Sequence, residues 1–66
     1  SAPLAVERGQ SVMMIYEVPG MQLTAQGRAM EGAARGAVVP VMNLASRTVV
    51  EAVVVAPGRV RVGGGR

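Results

Sequence analysis

The sequence predicts an all-β protein, a small antiparallel barrel or sandwich, and three observations support this prediction. Apolar and polar residues alternate with a period of two over several short segments, which is typical of half-buried strands. Pro19-Gly20 and Pro57-Gly58 supply the central residues of type II turns between such segments. Valine and alanine dominate the apolar residues, and valine favours strands because its side chain is stiff at χ1. Six short strands are expected.

The first half of the chain is predicted to form one short strand followed by a hairpin. Residues 4–7 form the short strand, and residues 8–10 turn the chain. Ser11–Val18 and residues 21–26 form the strands of the hairpin, joined by the first Pro-Gly turn. The inward-facing residues are predicted to be Val12, Met14 and Tyr16 on the first strand, and Met21, Leu23 and Ala25 on the second.

The second half begins with a segment punctuated by glycines, residues 26–36. Gly27, Gly32 and Gly36 permit positive φ and close backbone approach, so we expect a bulge and then a compact crossover with at most one helical turn. Pro40 lacks an amide donor, which places its strand at a sheet edge or at a bulge. The remaining strands are predicted at residues 37–42, 47–56 and 59–62, with a turn at 43–46.

Length and composition limit the chain to a single domain, residues 1–66. A chain of this size buries only about 60% of its unfolded surface, so we expect a thin core within residues 4–62 and a frayed tail at 63–66. The absence of cysteine excludes disulfides and thiolate metal sites. The chain starts without an initiator methionine or a signal-peptide pattern, so we expect it to be a piece of a longer protein.

Composition also excludes several classes of function. Histidine, cysteine, aspartate and lysine are all missing, so the common catalytic bases, nucleophiles and metal ligands are absent, and we predict no enzyme, no metal and no cofactor. The net charge is +3, but the seven arginines are scattered and Tyr16 is the only aromatic residue, so nucleic-acid binding is not expected. No apolar stretch approaches the roughly 20 residues that cross a bilayer, so membrane insertion is not expected.

One apolar run has two interpretations. Residues 13–16 carry apolar side chains on both faces of a predicted strand, which fits either a strand buried on both sides or an adaptable face for a partner. Arg28 and Arg35 flank the crossover. They are interpreted either as contacts for an acidic partner or as ordinary solvated charges. The candidate partner-binding residues are Met13, Met14, Ile15, Tyr16, Arg28 and Met30.

An ordered series of small and apolar residues spans nearly the whole chain. It consists of Val6-x-x-Gly9-Gln10-x-Val12, Ala25-x-Gly27-x-Ala29-Met30-x-x-Ala33-x-x-Gly36, Val39-x-Val41-x-Asn43-x-x-Ser46-x-x-Val49-Val50-x-Ala52-Val53 and Gly58-x-Val60-x-Val62. The series resembles the C-terminal domain of the flagellar basal-body P-ring formation proteins, the FlgA family. It departs from the family at Ala52, where a glycine is common. Related modules of pilus-assembly proteins share part of the pattern.

The resemblance implies a β-clip-related fold and a C-terminal fragment of an exported protein of Gram-negative bacteria. It further implies a periplasmic chaperone that binds the P-ring subunit and assists its assembly around the flagellar rod, without ATP and without catalysis. Two alternatives are a pilus-assembly module of the related type and a small-ligand-binding β domain, although the lack of aromatic residues argues against the latter. Self-association of the fragment is also left open.

Overall fold

The structure, a computed structural model, describes residues 3–62 and consists of a closed five-stranded barrel. The strands are β1 (Ser11–Val18), β2 (Met21–Ala29), β3 (Val38–Asn43), β4 (Thr48–Ala56) and β5 (Arg59–Val62). Within these residues all regular secondary structure is β-strand, which confirms the all-β prediction. The predicted tail, residues 63–66, lies outside the described part of the chain.

The strands follow one another around the barrel in chain order, and β5 closes it against β1. Each consecutive pair is antiparallel, but the closing pair is parallel, with Met13 opposite Arg59 and Tyr16 opposite Val62. The predicted small barrel is confirmed, and the pairing at this one seam is parallel where the prediction was antiparallel. The reason is parity, since the first and last of five alternating strands run in the same direction.

The predicted first strand is reduced to a single bridge between Val6 and Ala33. The amides of Ala5 and Val6 donate to the Ala33 carbonyl at 2.9 and 3.1 Å, and the Ala33 amide donates to the Val6 carbonyl at 3.0 Å. Val6 is fully buried, so the lead-in segment packs an apolar side chain into the core without adding a strand. The described residues therefore contain five strands rather than six.

The glycine-rich segment differs from its prediction in two ways. Its first residues belong to β2, which runs to Ala29 instead of ending at residue 26. The remainder is an irregular connection without a helical turn, within the predicted limit of one turn. Hydrogen bonds tie this connection to the barrel, because the Gly36 amide donates to the Val54 carbonyl at 2.8 Å and the Val54 amide to the Ala37 carbonyl at 2.9 Å. The register irregularity lies in the β4–β5 ladder, between Val54 and Ala56, instead of at the glycines.

The turn after β3 follows the sequence prediction, but the prediction of an edge strand or a bulge at Pro40 is wrong. β3 pairs with both β2 and β4 in the closed barrel, its ladder with β4 is regular at Pro40, and the β2 ladder stops one residue short of the proline. The Pro40 carbonyl accepts a hydrogen bond from the Met30 amide at 2.9 Å, so it points away from β4. The nitrogen and the carbonyl oxygen of one residue in an antiparallel strand point to the same side. The proline nitrogen therefore also points away from β4, and the β3–β4 ladder loses no hydrogen bond. After β3, the Asn43 side-chain oxygen accepts the amides of Ala45 and Ser46 at 2.8 and 3.2 Å. The next strand starts at Thr48, one residue later than predicted.

The core lies inside the barrel and is built mainly from valine. Its largest fully buried side chain is Met14. Met14 packs so closely on Gly27 that a β-carbon at position 27 would overlap the Met14 side chain. The buried apolar residues are Val6, Val12, Met14, Ala29, Ala33, Val39, Val41, Ala52, Val54 and Val60. The predicted inward positions Val12 and Met14 are thus confirmed.

Candidate partner-binding surface

The β1–β2 hairpin extends beyond the barrel. Within residues 3–62, β5 pairs with β1 only as far as Tyr16, and the β2–β3 ladder comprises only Gly27, Arg28 and Ala29. Residues 17–25, here called the hairpin arm, therefore have no strand beside them on either side in the described chain. The molecule is correspondingly elongated, with extents of 37 × 21 × 16 Å.

The hairpin arm exposes an apolar face. Met21 and Leu23 continue the inner side of β2, but they lie past the end of the barrel and are 60% and 50% exposed. Val18, opposite Met21, is 40% exposed. The prediction that Met21 and Leu23 face a core is wrong, because within residues 3–62 no neighbouring strand extends far enough to cover them.

Tyr16 marks the base of the hairpin arm. It is half-buried and packs against the core cluster, opposite Leu23 on β2. The Asn43 side-chain amide donates a hydrogen bond to the Tyr16 hydroxyl oxygen at 3.3 Å. This bond links the base of the arm to the turn after β3, so the root of the apolar face is fixed to the barrel.

The outer edge of β2 in the hairpin arm carries backbone groups without a strand partner. Inter-strand bonds alternate along an antiparallel strand, and the Gln26 carbonyl points away from β1, since it accepts the Leu44 amide at 3.0 Å. By the same alternation, the N–H and C=O groups of Gln22 and Thr24 point away from β1. Within residues 3–62 no ladder includes them on that side.

A second surface lies on the outside of the barrel. Met13, 45% exposed, and the half-buried Ile15 point outward from β1, opposite Arg59 and Arg61 of β5. Arg61 forms an ion pair with Glu17 at 3.7 Å, and both side chains are about half exposed. A shallow groove of about 570 Å³ follows this face; its lining residues are Ser11, Val12, Met13, Thr24, Ala25 and Gln26.

A third feature is a small basic cleft of about 430 Å³ at the barrel end of the hairpin arm. Arg28 and Arg47 line it together with Met42 and Leu44. Arg47 has a positive φ of 61° at the end of the turn, immediately before β4, which pairs with β3. Both arginine side chains are exposed. The cleft therefore places two cations next to the point where the β2 edge becomes free.

The family model for a chaperone for flagella basal body P-ring formation matches residues 1–62. The chain belongs to this family. It is 38% identical over 63 residues to the distal basal body ring component protein of Caulobacter vibrioides, covering 96% of this chain and 24% of that protein. The resemblance predicted from the sequence is thus confirmed at the level of the family.

Two solved structures also resemble this FlgA-family chain. Salmonella FlgA in a closed form aligns with a TM-score of 0.80 at 29% sequence identity, covering 89% of this chain and 29% of the solved chain. The open form aligns with a TM-score of 0.79 at the same identity and covers 28% of the solved chain. This chain therefore spans about a quarter to three tenths of the length of the relatives it matches.

The structure distributes the six predicted partner-binding residues over different places. Met14 is fully buried, so it has no surface to offer a partner. Met13 and Ile15 share the outer face, whereas Tyr16 lies on the inner face at the base of the arm. Arg28 lines the basic cleft, and Met30, 38% exposed, begins the irregular connection. No single surface contains them all.

Sequence reasoning missed the exposure of Val18, Met21 and Leu23. A usable signal was present, because the hairpin strands are predicted to be longer than the last strand, Arg59–Val62, which pairs beside them. Strands of unequal length leave the longer ones uncovered. The described residues also contain no group of three or more potential metal ligands, and no helix long and apolar enough to span a membrane.

Proposed function

We propose that this chain is the partner-binding module of a periplasmic chaperone that binds the flagellar P-ring subunit and assists its polymerisation around the rod. The observation that carries the proposal is the exposed apolar face of the hairpin arm in a member of the P-ring formation family. A cluster of exposed apolar side chains that projects beyond a barrel is unfavourable for a free protein and is typical of a site that a partner covers.

The chemistry of the chain supports binding rather than catalysis. It contains no histidine, cysteine, aspartate or lysine, so we infer no catalytic role. The two surface clefts, of about 570 and 430 Å³, have no aromatic lining residue, which argues against a small-ligand site. The family match names a flagellar ring, which favours the flagellar partner over a pilus component.

Binding of the purified P-ring subunit tests the proposal. Wild-type protein is titrated with the subunit by isothermal calorimetry, beside Leu23→Gln on the apolar face of the arm. Leu23 is half exposed, so losing its burial is expected to weaken binding by about tenfold. Val38→Gln is the matched control, since Val38 is 60% exposed on the outside of β3. Folding of each variant is checked by thermal unfolding.

The two variants separate the outcomes. Tight binding by wild type, weakened by Leu23→Gln and unchanged by Val38→Gln, supports the proposal. Absence of binding by folded wild-type protein would contradict it. If Met13→Glu and Ile15→Glu weaken binding and Leu23→Gln does not, the P-ring subunit is the partner but it contacts the outer face of β1, which includes two of the residues predicted from the sequence.

A further inference from the structure

We propose that the free edge of β2 binds an extended segment of the partner as an added strand. This segment is uncharged where it lies along the arm and carries a carboxylate at the end next to Arg28 and Arg47. The inference rests on the proposed function, because it names the mode by which the same hairpin arm recognises its partner. Three observations carry it: the backbone groups of Gln22 and Thr24, which no ladder of residues 3–62 pairs on the side away from β1, the absence of charged residues from 18–27, and the two arginines at the barrel end of the arm.

The edge has room for a short strand. The pairing of β2 toward β3 ends at the bond between the Leu44 amide and the Gln26 carbonyl. Residues 21–25 lie beyond that bond, and five residues of strand extend about 17 Å at ~3.4 Å each. The N–H and C=O groups of Gln22 and Thr24 provide two donors and two acceptors along this length. An extended peptide offers main-chain groups with the same two-residue repeat.

The edge lacks the features that usually prevent strand addition. Natural edges are protected by lysine, by inward-pointing charge, by proline or by a bulge. Residues 18–27 contain no charged residue, and Pro19 lies in the turn rather than in β2. Met21 and Leu23 lie on one side of the edge, with Gln22 and Thr24 on the other. The complementary segment therefore alternates apolar and uncharged polar residues.

The basic cleft supplies the charge complementarity. Within residues 3–62 the only ion pair joins Arg61 to Glu17, so Arg28 and Arg47 have no acidic partner there. Two guanidinium groups that line one cleft favour a carboxylate, which they bind with charge-assisted hydrogen bonds. A second copy of the chain paired antiparallel on this edge would bring the uncharged Pro19-Gly20 turn to the arginines. The observations therefore favour a segment of a different protein.

A pair of substitutions at Thr24 tests the main-chain contact. Thr24→Pro removes an amide that points away from β1, so the barrel loses no bond, whereas Thr24→Ala changes the side chain and keeps the amide. We expect Thr24→Pro to weaken binding of the P-ring subunit by about tenfold and Thr24→Ala by less than about twofold. Arg28→Gln combined with Arg47→Gln is expected to weaken binding by about tenfold and to reduce its dependence on salt.

Amide hydrogen exchange on the complex gives a readout that does not depend on any variant. Binding should slow exchange at the Gln22 and Thr24 amides, which are the two amides of β2 within the hairpin arm that point away from β1. Binding by wild type with unchanged exchange there, or equal binding by folded Thr24→Pro, would overturn the inference and leave the proposed function standing. Failure of wild type to bind would overturn both. Dimerisation of the free protein that protects the same amides would show that a second copy occupies the edge, against the inference.

Discussion

Gly27 is the position where the barrel leaves least room for a side chain. A β-carbon built on Gly27 would lie 2.8 Å from Met14 Cγ and 2.8 Å from Val41 Cγ1, and would also overlap Met14 Sδ. Met14 and Val41 are both fully buried. Gly27 has no positive φ, so the backbone accepts alanine and the cost of substitution is steric alone.

Gly27→Ala is therefore expected to lower the free energy of unfolding by about 1–2 kcal/mol. Overpacking a filled core costs about 1–3 kcal/mol, because Val41 is stiff at χ1 and Met14 has to leave its rotamer. Replacing glycine by alanine also stabilises the folded state by about 0.4–1 kcal/mol, because it restricts the conformations of the unfolded chain. For a domain of this size the net loss lowers Tm by about 5–15 °C. Thermal unfolding followed by circular dichroism measures it.

Two comparisons make this prediction specific. Gly32→Ala is the control, because its β-carbon would lie close only to the flexible end of Leu4, at 3.1 Å from Cδ1, and at ordinary contact distance, 3.5 Å, from the Val6 carbonyl oxygen. It should change stability by less than about 0.5 kcal/mol. Met14→Val shortens the side chain that blocks Gly27, so the double variant should be more stable than the summed single effects by about 1 kcal/mol. A Gly27→Ala protein as stable as wild type, or strict additivity, would refute the steric argument.

Two further predictions concern the turn between β3 and β4. Asn43→Ala should lower the free energy of unfolding by about 1–2 kcal/mol in urea titrations, since the amides of Ala45 and Ser46 lose their acceptor. Asn43→Asp keeps that acceptor and should lower the free energy of unfolding by less. Equal decreases for the two variants would contradict this role of the Asn43 side chain. Arg47→Val should lower the free energy of unfolding by about 1–2 kcal/mol, because Arg47 has a φ of 61° and a β-branched residue is strained there. Arg47→Gly should leave the free energy of unfolding nearly unchanged. An Arg47→Val protein as stable as wild type would contradict this turn geometry.

The hairpin and the last strand were predictable because their signals are local. Ser11–Val18 and Arg59–Val62 have the predicted bounds, since alternation defines the strand and a Pro-Gly pair defines each turn. The same alternation correctly assigned Val12 and Met14 to the core. Asn43 was likewise predictable, because an asparagine side chain caps backbone amides two and three residues further along.

The candidate site was predictable only in part. The sequence singled out the β1 strand as a two-faced element, and the structure places Met13 and Ile15 on one face and Met14 in the core. It could not reveal that Met21 and Leu23 are exposed, because a period of two identifies the side of a strand on which a residue lies and not what covers that side. Coverage depends on the lengths of β3 and β5, which are distant in the chain.

By itself, then, the sequence determined the all-β class, the positions of the hairpin turns and the family, because each depends on short-range patterns or on an ordered set of residues. Only the tertiary structure decided the parallel closure between β1 and β5, the free edge of β2 and the close packing of Gly27 on Met14 and Val41. These features depend on which strands become neighbours and on where each ladder stops. Both are settled by long-range packing around the shared core.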